Sequence, residues 1–319
     1  MTRTLPQRRI GSFDVGAVGL GCMGFTWAYN PAERDDERSI AVVHRALDEG
    51  MTLIDTADIY GPFTNEEIVG RALAGRRDEA VLATKVGLVV EDAATYKLGR
   101  DGSPAHVYEA IDASLERLGT DHVDLYQLHR VDEKVPIELT WDAMSEVVAD
   151  GKAREIGLSE ATVEQLEVAH AIHPVASVQS ELSIWTRDRL DDVLPWCREH
   201  GVAFIPFAPL GRGYLTGTIT SASFDDADFR ARNPRFTREA LEANLAIVDR
   251  VRAVAERHGA TPAQVALAWV LAQDELVVPI PGTTKPERVA ENAGAAQLTL
   301  GADDLAELDS VPPTVGARY

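Results

Sequence analysis

The chain has 319 residues, 45% of them hydrophobic and 26% charged, enough to bury a large core and far from the make-up of a disordered chain. Asp and Glu number 51 against 31 Lys and Arg, a formal charge of −20 that disfavours nucleic-acid and anionic-membrane binding. Cys22 and Cys197 lie far apart without CxxC or Cys/His spacing, which argues against a disulfide scaffold or a zinc site. No apolar run nears the ~20 residues of a membrane span. The N-terminal stretch is basic but has no apolar core, so it does not read as an export signal. The expectation is a cytoplasmic chain, with monomer or homo-oligomer both open.

Short β-rich runs alternate with longer amphipathic ones. Arg9-Ile10 and Phe13 to Val15 flank Gly11-Ser12, which predicts a β-hairpin able to plug one mouth of a barrel. Strands are then expected at 15–21, 53–57, 81–86, 124–129, 154–159, 177–182, 203–210 and 276–282, several of them nearly continuous apolar runs. Helical spacing fills the intervals at 36–50, 66–73, 107–118, 140–150, 162–171, 191–200, 238–258 and 263–273. Gly119, Gly151, Gly201 and Gly259 serve as stops, and Thr261-Pro262 as a start. The eightfold rhythm fits a (β/α)8 barrel in one domain over 1–319. An open doubly wound sheet is the alternative, but no GxGxxG turn joins the first strand to a helix. The connection at 211–237 is long, polar and glycine-containing, a feature of functional or mobile segments.

In such a barrel chemistry belongs at the C-terminal strand ends. The second strand ends at Asp55, with Tyr60 just beyond; the third ends at Lys85 and the fourth at His129. Each has an ordinary explanation: tyrosine as packing, lysine as a solvated base, histidine as a core residue, aspartate as a turn cap. Those explanations weaken jointly, because all four sit at equivalent positions. A free phenol with a pKa of about 10 is a poor acid at neutral pH. A nearby ammonium lowers that value, and a carboxylate keeps a buried ammonium charged. Asp55, Lys85 and Tyr60 thus form a proton-donating chain, and His129 can donate a hydrogen bond to a carbonyl oxygen. The hydride must come from a cofactor. After the eighth strand, Gly282-Thr-Thr-Lys-Pro286 leads into a helix whose start, with Lys285 and Arg288, suits a phosphate.

Asp55-Thr-Ala-Asp-Ile-Tyr60, Ala83-Thr-Lys85 and Leu128-His129 resemble, in matching order, the motifs of the aldo-keto reductases, and the resemblance covers essentially the whole chain. It implies a (β/α)8 barrel, NADP(H) dependence and reduction of a small-molecule carbonyl substrate, with Tyr60 as proton donor, Lys85 and Asp55 supporting it and His129 orienting the substrate. It places Ser159 and Gln179 at the nicotinamide amide and Phe207 in a stack on that ring. Gly24, Phe25, Asp55, Ala208, Pro209, Leu210, Gly211 and Arg212 are implied further along the cofactor, the last three at the pyrophosphate. Gly282, Thr283, Thr284, Lys285 and Arg288 are implied around the 2′-phosphate, and Glu291 and Asn292 near the adenine. Glu160 departs from the asparagine that commonly follows the amide serine, and Phe207 from a frequent tyrosine. Substrate walls are expected from Phe25, Trp27, Tyr29, Trp185 and Phe229, with Tyr60 and His129 at the reacting end. The resemblance extends to potassium-channel β-subunits, through Leu210-Gly-Arg-Gly213 and the last helix, so a cofactor-sensing adaptor with slow turnover is an alternative. A phosphate-binding aldolase or isomerase barrel with Lys85 as Schiff-base nucleophile is a third reading.

Overall fold

The computed structural model describes residues 5–92 and 97–318; residues 1–4 of the basic N-terminal stretch, 93–96 and 319 lie outside the described residues. The hairpin is formed by β1 (Gln7–Ile10) and β2 (Phe13–Gly16), with Ile10 opposite Phe13. Gly11 takes φ 53, the left-handed backbone that a two-residue hairpin turn needs. Ile10 and Val15 are fully buried in the interior cluster of Leu53, Ala83, Leu125 and Ile205. Ser12 N–H donates to Glu155 Oε1 at 2.9 Å, near the start of a barrel strand. The hairpin therefore stoppers the N-terminal mouth.

Strands β3 (Leu20–Gly21), β4 (Leu53–Asp55) and β5 (Val81–Val86) come next, then a second hairpin, β6 (Leu88–Asp92) with β7 (Lys97–Arg100). Strands β8 (Val123–Leu128), β9 (Ala153–Ser159), β10 (Ser177–Glu181) and β11 (Ala203–Phe207) complete a parallel sheet ordered β3-β4-β5-β8-β9-β10-β11. The segment expected as the eighth strand closes the ring. Val278 and Ile280 N–H donate to the carbonyls of Phe204 (2.8 Å) and Pro206 (3.0 Å), and Gly19 and Gly21 N–H donate to those of Pro279 (2.9 Å) and Pro281 (3.4 Å). Prolines 279 and 281 have no N–H to return to the first strand, so this seam is bonded in one direction and lacks regular strand geometry. A Cβ on Gly21 would lie 2.8 Å from the Ile280 carbonyl oxygen, so the seam requires glycine there.

The covering helices are α1 (Asp36–Asp48), α2 (Thr64–Leu73), α3 (Pro104–Leu118), α4 (Ile137–Ala149), α5 (Val163–Ile172), α6 (Val193–His200), α7 (Arg238–His258) and α8 (Pro262–Leu271), followed by α9 (Pro286–Gly294) and α10 (Ala302–Asp309). Their ends follow local chemistry. Thr162 and Thr261 close capping boxes with Gln165 and Gln264, and Gly119, Gly201 and Gly259 end helices in the left-handed region. Three departures from expectation stand out. The first barrel strand is short because residues 13–16 belong to the plug. The β6–β7 hairpin was not foreseen; its Leu88 and Val90 pack on the cluster of Trp27, Ile59 and Tyr60, beside the strand ends. The last helix, α10, was likewise unassigned. Among the described residues, no helix is long and apolar enough to cross a membrane, and no His, Cys, Asp and Glu are grouped to hold a metal ion.

Candidate active site

Period-two alternation decides which side chains enter the barrel. Leu53 and Asp55, Ala83 and Lys85, and Leu125 and Gln127 point inward in pairs, the apolar member in the interior cluster and the polar one a step nearer the C-terminal mouth. Lys85 is fully buried, and its Nζ donates to Asp55 Oδ1 at 2.5 Å and to the Thr56 carbonyl at 2.7 Å. Asp55 Oδ2 accepts from Gln179 Nε2 at 2.8 Å and Gln127 Nε2 at 3.2 Å. Both carboxylate oxygens are thus occupied inside the barrel. Burial works against the Lys85 charge, but Asp55 and then Tyr60 outweigh it, and the ammonium is held above its ordinary value.

Tyr60 projects from the turn after β4. Lys85 Nζ lies 5.2 Å from its ring centre. Burial pushes the phenol up while Lys85 pulls it down; burial wins, and Tyr60 sits above its ordinary value. The expectation that Lys85 lowers this phenol is corrected in its net direction, because the ammonium's pull is present but smaller than the desolvation. Tyr60 therefore keeps its proton at neutral pH, and Lys85 eases formation of the phenolate once that proton leaves. The His129 ring stands edge-on to Tyr60, with centres 5.9 Å apart and planes at 82°. Burial first, then Lys85 and Arg130, hold His129 well below its ordinary value, so the imidazole is neutral. Its Nδ1 is buried without a hydrogen-bond partner among the described residues. A neutral ring so placed has one N–H to offer an incoming oxygen.

The expected cofactor segments ring the same mouth. Ser159 Oγ accepts from Arg130 Nη1 at 3.1 Å. Glu160, Ala208 and Arg212 adopt left-handed φ of 56, 49 and 56, strained backbone of the kind that gathers at functional sites. Glu160 does not turn to solvent: its Oε1 accepts the Glu181 N–H at 3.0 Å and its Oε2 pairs with Arg318 at 2.7 Å. Phe207 is half-buried at the end of β11. Pro209, Leu210 and Gly211 lead into the turn at 211–216. Across the mouth, a Cβ on Gly24 would lie 4.0 Å from Thr284 Cγ2, and Phe25 is buried beneath. Gly282 bridges to Gly21, and Thr283 Oγ1 accepts the Lys285 N–H at 3.1 Å. Helix α9 starts without a side-chain cap, and no carboxylate pairs with Lys285 or Arg288 among the described residues. Glu291 and Asn292 lie further along α9, the asparagine buried.

Trp27 and Tyr29 belong to the cluster around Ile59 and Tyr60, with the Arg230 guanidinium 5.1 Å over the Tyr29 ring. Trp185 lies elsewhere: it is 3% exposed, stacked on Tyr214 at 4.9 Å and met edge-on by Phe236. It packs against the 211–216 turn. Phe229, 38% exposed, lies under the Arg212 guanidinium at 5.3 Å. Sequence reasoning missed Gln127 as a partner of Asp55. Its place two residues before His129 on an inward face was the available signal. It also missed Glu181, fully buried, whose Oε2 receives Arg212 at 3.0 Å and Arg318 at 2.6 Å.

This constellation has a counterpart among known proteins. The aldo/keto reductase family model matches residues 17–312. The chain belongs to the aldo/keto reductase family. A probable aldo-keto reductase from Glycine max is 43% identical over 312 residues, spanning 96% of this chain and 89% of the relative. The solved glycerol dehydrogenase from Gluconobacter oxydans superposes with a TM-score of 0.87 at 33% identity, over 96% of this chain and 94% of that one. An aldo/keto reductase from Klebsiella pneumoniae, solved with NADP and acetate, gives a TM-score of 0.75 at 29% identity, over 98% and 96%. As a family member the chain is an oxidoreductase, and the (β/α)8 architecture built above is shared with its structural neighbours.

Proposed function

We propose that this aldo/keto reductase reduces aldehydes or ketones to alcohols with NADPH, Tyr60 giving the proton. The observation that carries the reading is the buried Asp55–Lys85 pair, 2.5 Å apart, its ammonium 5.2 Å from the ring of a phenol that keeps its proton. NADPH supplies the hydride. Tyr60 passes its hydroxyl proton to the carbonyl oxygen, and the phenolate left behind is stabilised by the Lys85 ammonium, whose charge Asp55 preserves. Neutral His129 donates its one N–H to the same oxygen and fixes its direction. Lys85 as a Schiff-base nucleophile fits poorly, since its ammonium is held charged by Asp55.

Several features fit the cofactor. The Klebsiella relative was crystallised with NADP and, separately, with NADPH. The uncapped start of α9, beside Lys285 and Arg288, is a positive spot on a chain of net charge −20. A guanidinium there suits the doubly charged 2′-phosphate that distinguishes NADPH from NADH. Ser159, Gln179 and Phe207 offer an amide seat and a ring face. Trp27 and Tyr29, with Leu88 and Val90 of the second hairpin, give an aromatic and aliphatic wall that suits apolar carbonyl compounds.

The test follows NADPH absorbance with a panel of aromatic and aliphatic aldehydes and ketones, beginning with 4-nitrobenzaldehyde. Steady turnover is expected with several of them. Tyr60→Phe should lower kcat by roughly 10²–10⁴-fold, the usual worth of a positioned acid, and leave NADPH affinity nearly unchanged. Tight NADPH binding with negligible turnover across the panel would favour the adaptor reading. Near-normal kcat in Tyr60→Phe would remove Tyr60 as the acid.

A further inference from the structure

The end of the chain returns to the mouth of the barrel. Thr314 Oγ1 donates to the Trp185 carbonyl at 2.8 Å, and Val315 exchanges two hydrogen bonds with the Asn244 side chain, each of 2.9 Å. Arg235 Nε donates to the Gly316 carbonyl at 3.3 Å, and Asn233 Nδ2 to that of Arg318 at 3.0 Å. Gly316 holds φ 99, and a Cβ there would lie 2.9 Å from the Arg235 Cα, so the strap passes where only glycine fits.

This fastening delivers one side chain. The Arg318 guanidinium bridges two carboxylates from neighbouring strand ends: Nε to Glu181 Oε2 at 2.6 Å and Nη2 to Glu160 Oε2 at 2.7 Å. It also lies 5.6 Å from the centre of the Phe207 ring. Glu160 directly follows Ser159, and Glu181 lies two residues beyond Gln179, both residues assigned to the amide seat. Glu181 is wholly buried and gathers Arg212, Arg318 and, at 3.7 Å, Arg235. The planar fork of arginine can meet both carboxylates and still lie against an aromatic ring, which a lysine ammonium cannot.

We propose that Arg318 is a positioning residue for the nicotinamide half of the cofactor: from the chain terminus it ties Glu160 back against Glu181, away from the amide seat at Ser159, and steadies the Phe207 ring. The inference rests on the NADPH reading and assigns a role to two departures from the family pattern, Glu160 and Phe207. Glu160 stands where an amide side chain is common, and its carboxylate is held by the Glu181 N–H on Oε1 and by Arg318 on Oε2. Without the guanidinium, the Glu160 carboxylate keeps only the Glu181 N–H on Oε1 and carries an unbalanced charge beside the carboxamide, and Phe207 loses the group on its ring.

The experiment measures NADPH binding to the full chain by fluorescence, inhibition by adenosine 2′,5′-bisphosphate, which carries only the adenosine half, and kcat. Arg318→Ala is expected to raise the NADPH Kd by about tenfold or more while the bisphosphate inhibition constant stays within about twofold. Arg318→Lys, which retains the charge on Glu181, should move the same way by about threefold. Adding Glu160→Gln to Arg318→Ala should restore part of the NADPH affinity, which a general loss of folding would not allow. Equal weakening of both ligands, unchanged NADPH binding in both variants, or no rescue by Glu160→Gln overturns the proposal. Failure of the unmodified protein to bind NADPH at all is a different result, and it removes the functional reading itself.

Discussion

Asp55→Asn removes one charge from the centre of the site with almost no change of shape. Lys85 and Asp55 side chains are 0% and 4% exposed and 2.5 Å apart. At an effective dielectric of ~20, unit charges roughly 4 Å apart attract by about 4 kcal/mol. Burial, the leading influence on Lys85, opposes the charge, so with asparagine in place the lysine falls below its ordinary value instead of standing above it. The new amide is also mismatched. Oδ2 of Asp55 accepts from both Gln127 and Gln179 while Oδ1 faces an ammonium, so an NH2 group placed on either side meets donors. Breaking one side of a buried pair costs roughly 3–5 kcal/mol. Two measurements are expected to fall together: the urea midpoint of unfolding, by the equivalent of about 3 kcal/mol or more, and kcat for NADPH-dependent aldehyde reduction, by about 10²-fold or more because the phenolate loses its counter-charge. The double change Asp55→Leu with Lys85→Met, which leaves no unpaired charge, should regain much of the stability and none of the rate. Asp55→Asn with kcat within about threefold of the parent would refute the claim that Asp55 keeps Lys85 charged for the proton transfer.

Other expectations follow from separate parts of the molecule. Arg288→Ala should weaken NADPH far more than NADH, by about tenfold or more in the ratio of Kd values; equal losses would place Arg288 away from the 2′-phosphate. Glu66 is fully buried on α2, bonded to Thr84 at 2.5 Å and to Arg117 at 2.7 Å, so Arg117→Met should cost roughly 3 kcal/mol in urea unfolding by stranding a carboxylate. A change within experimental error would show that Arg117 is not what sustains the buried Glu66. His129 binds its proton less readily folded than unfolded. Its contribution to stability is therefore complete above the unfolded value near 6.5 and is lost as pH falls below it, at up to about 1.4 kcal/mol per pH unit. Urea midpoints measured at successive pH values from 7 to 5 should fall less steeply for His129→Asn than for the parent protein; parallel slopes would show that the ring titrates freely in the fold.

Local signals written in the sequence set the helices, the plug and the register of the candidate site residues. Capping threonines at 162 and 261 and terminal glycines at 119, 201 and 259 bound helices within a residue or two of their observed ends, because caps satisfy backbone groups locally. Alternation on parallel strands likewise carried Asp55, Lys85 and Gln127 inward, since inward and outward are a matter of parity. The eighth strand was legible as an apolar run, but its one-way bonding became evident only where Pro279 and Pro281 face Gly19 and Gly21. The β6–β7 hairpin escaped because its apolar residues are few and spend themselves on a neighbour, the Trp27 cluster.

The sequence by itself determined which groups the site contains; tertiary structure decided what state they are in and what else joins them. Tyr60 is the clearest case. Proximity to Lys85 could be inferred from strand ends, but the depth of burial that reverses the net direction of its pKa depends on everything packed above it. Arg318 is another. It is separated by 158 positions from Glu160 and 137 from Glu181, and no spacing rule connects a chain terminus to two strand ends. Charges that far apart in sequence meet only because the barrel, the 211–237 connection and the terminal strap bring them together, and long-range pairing of that kind leaves no periodic trace in the chain.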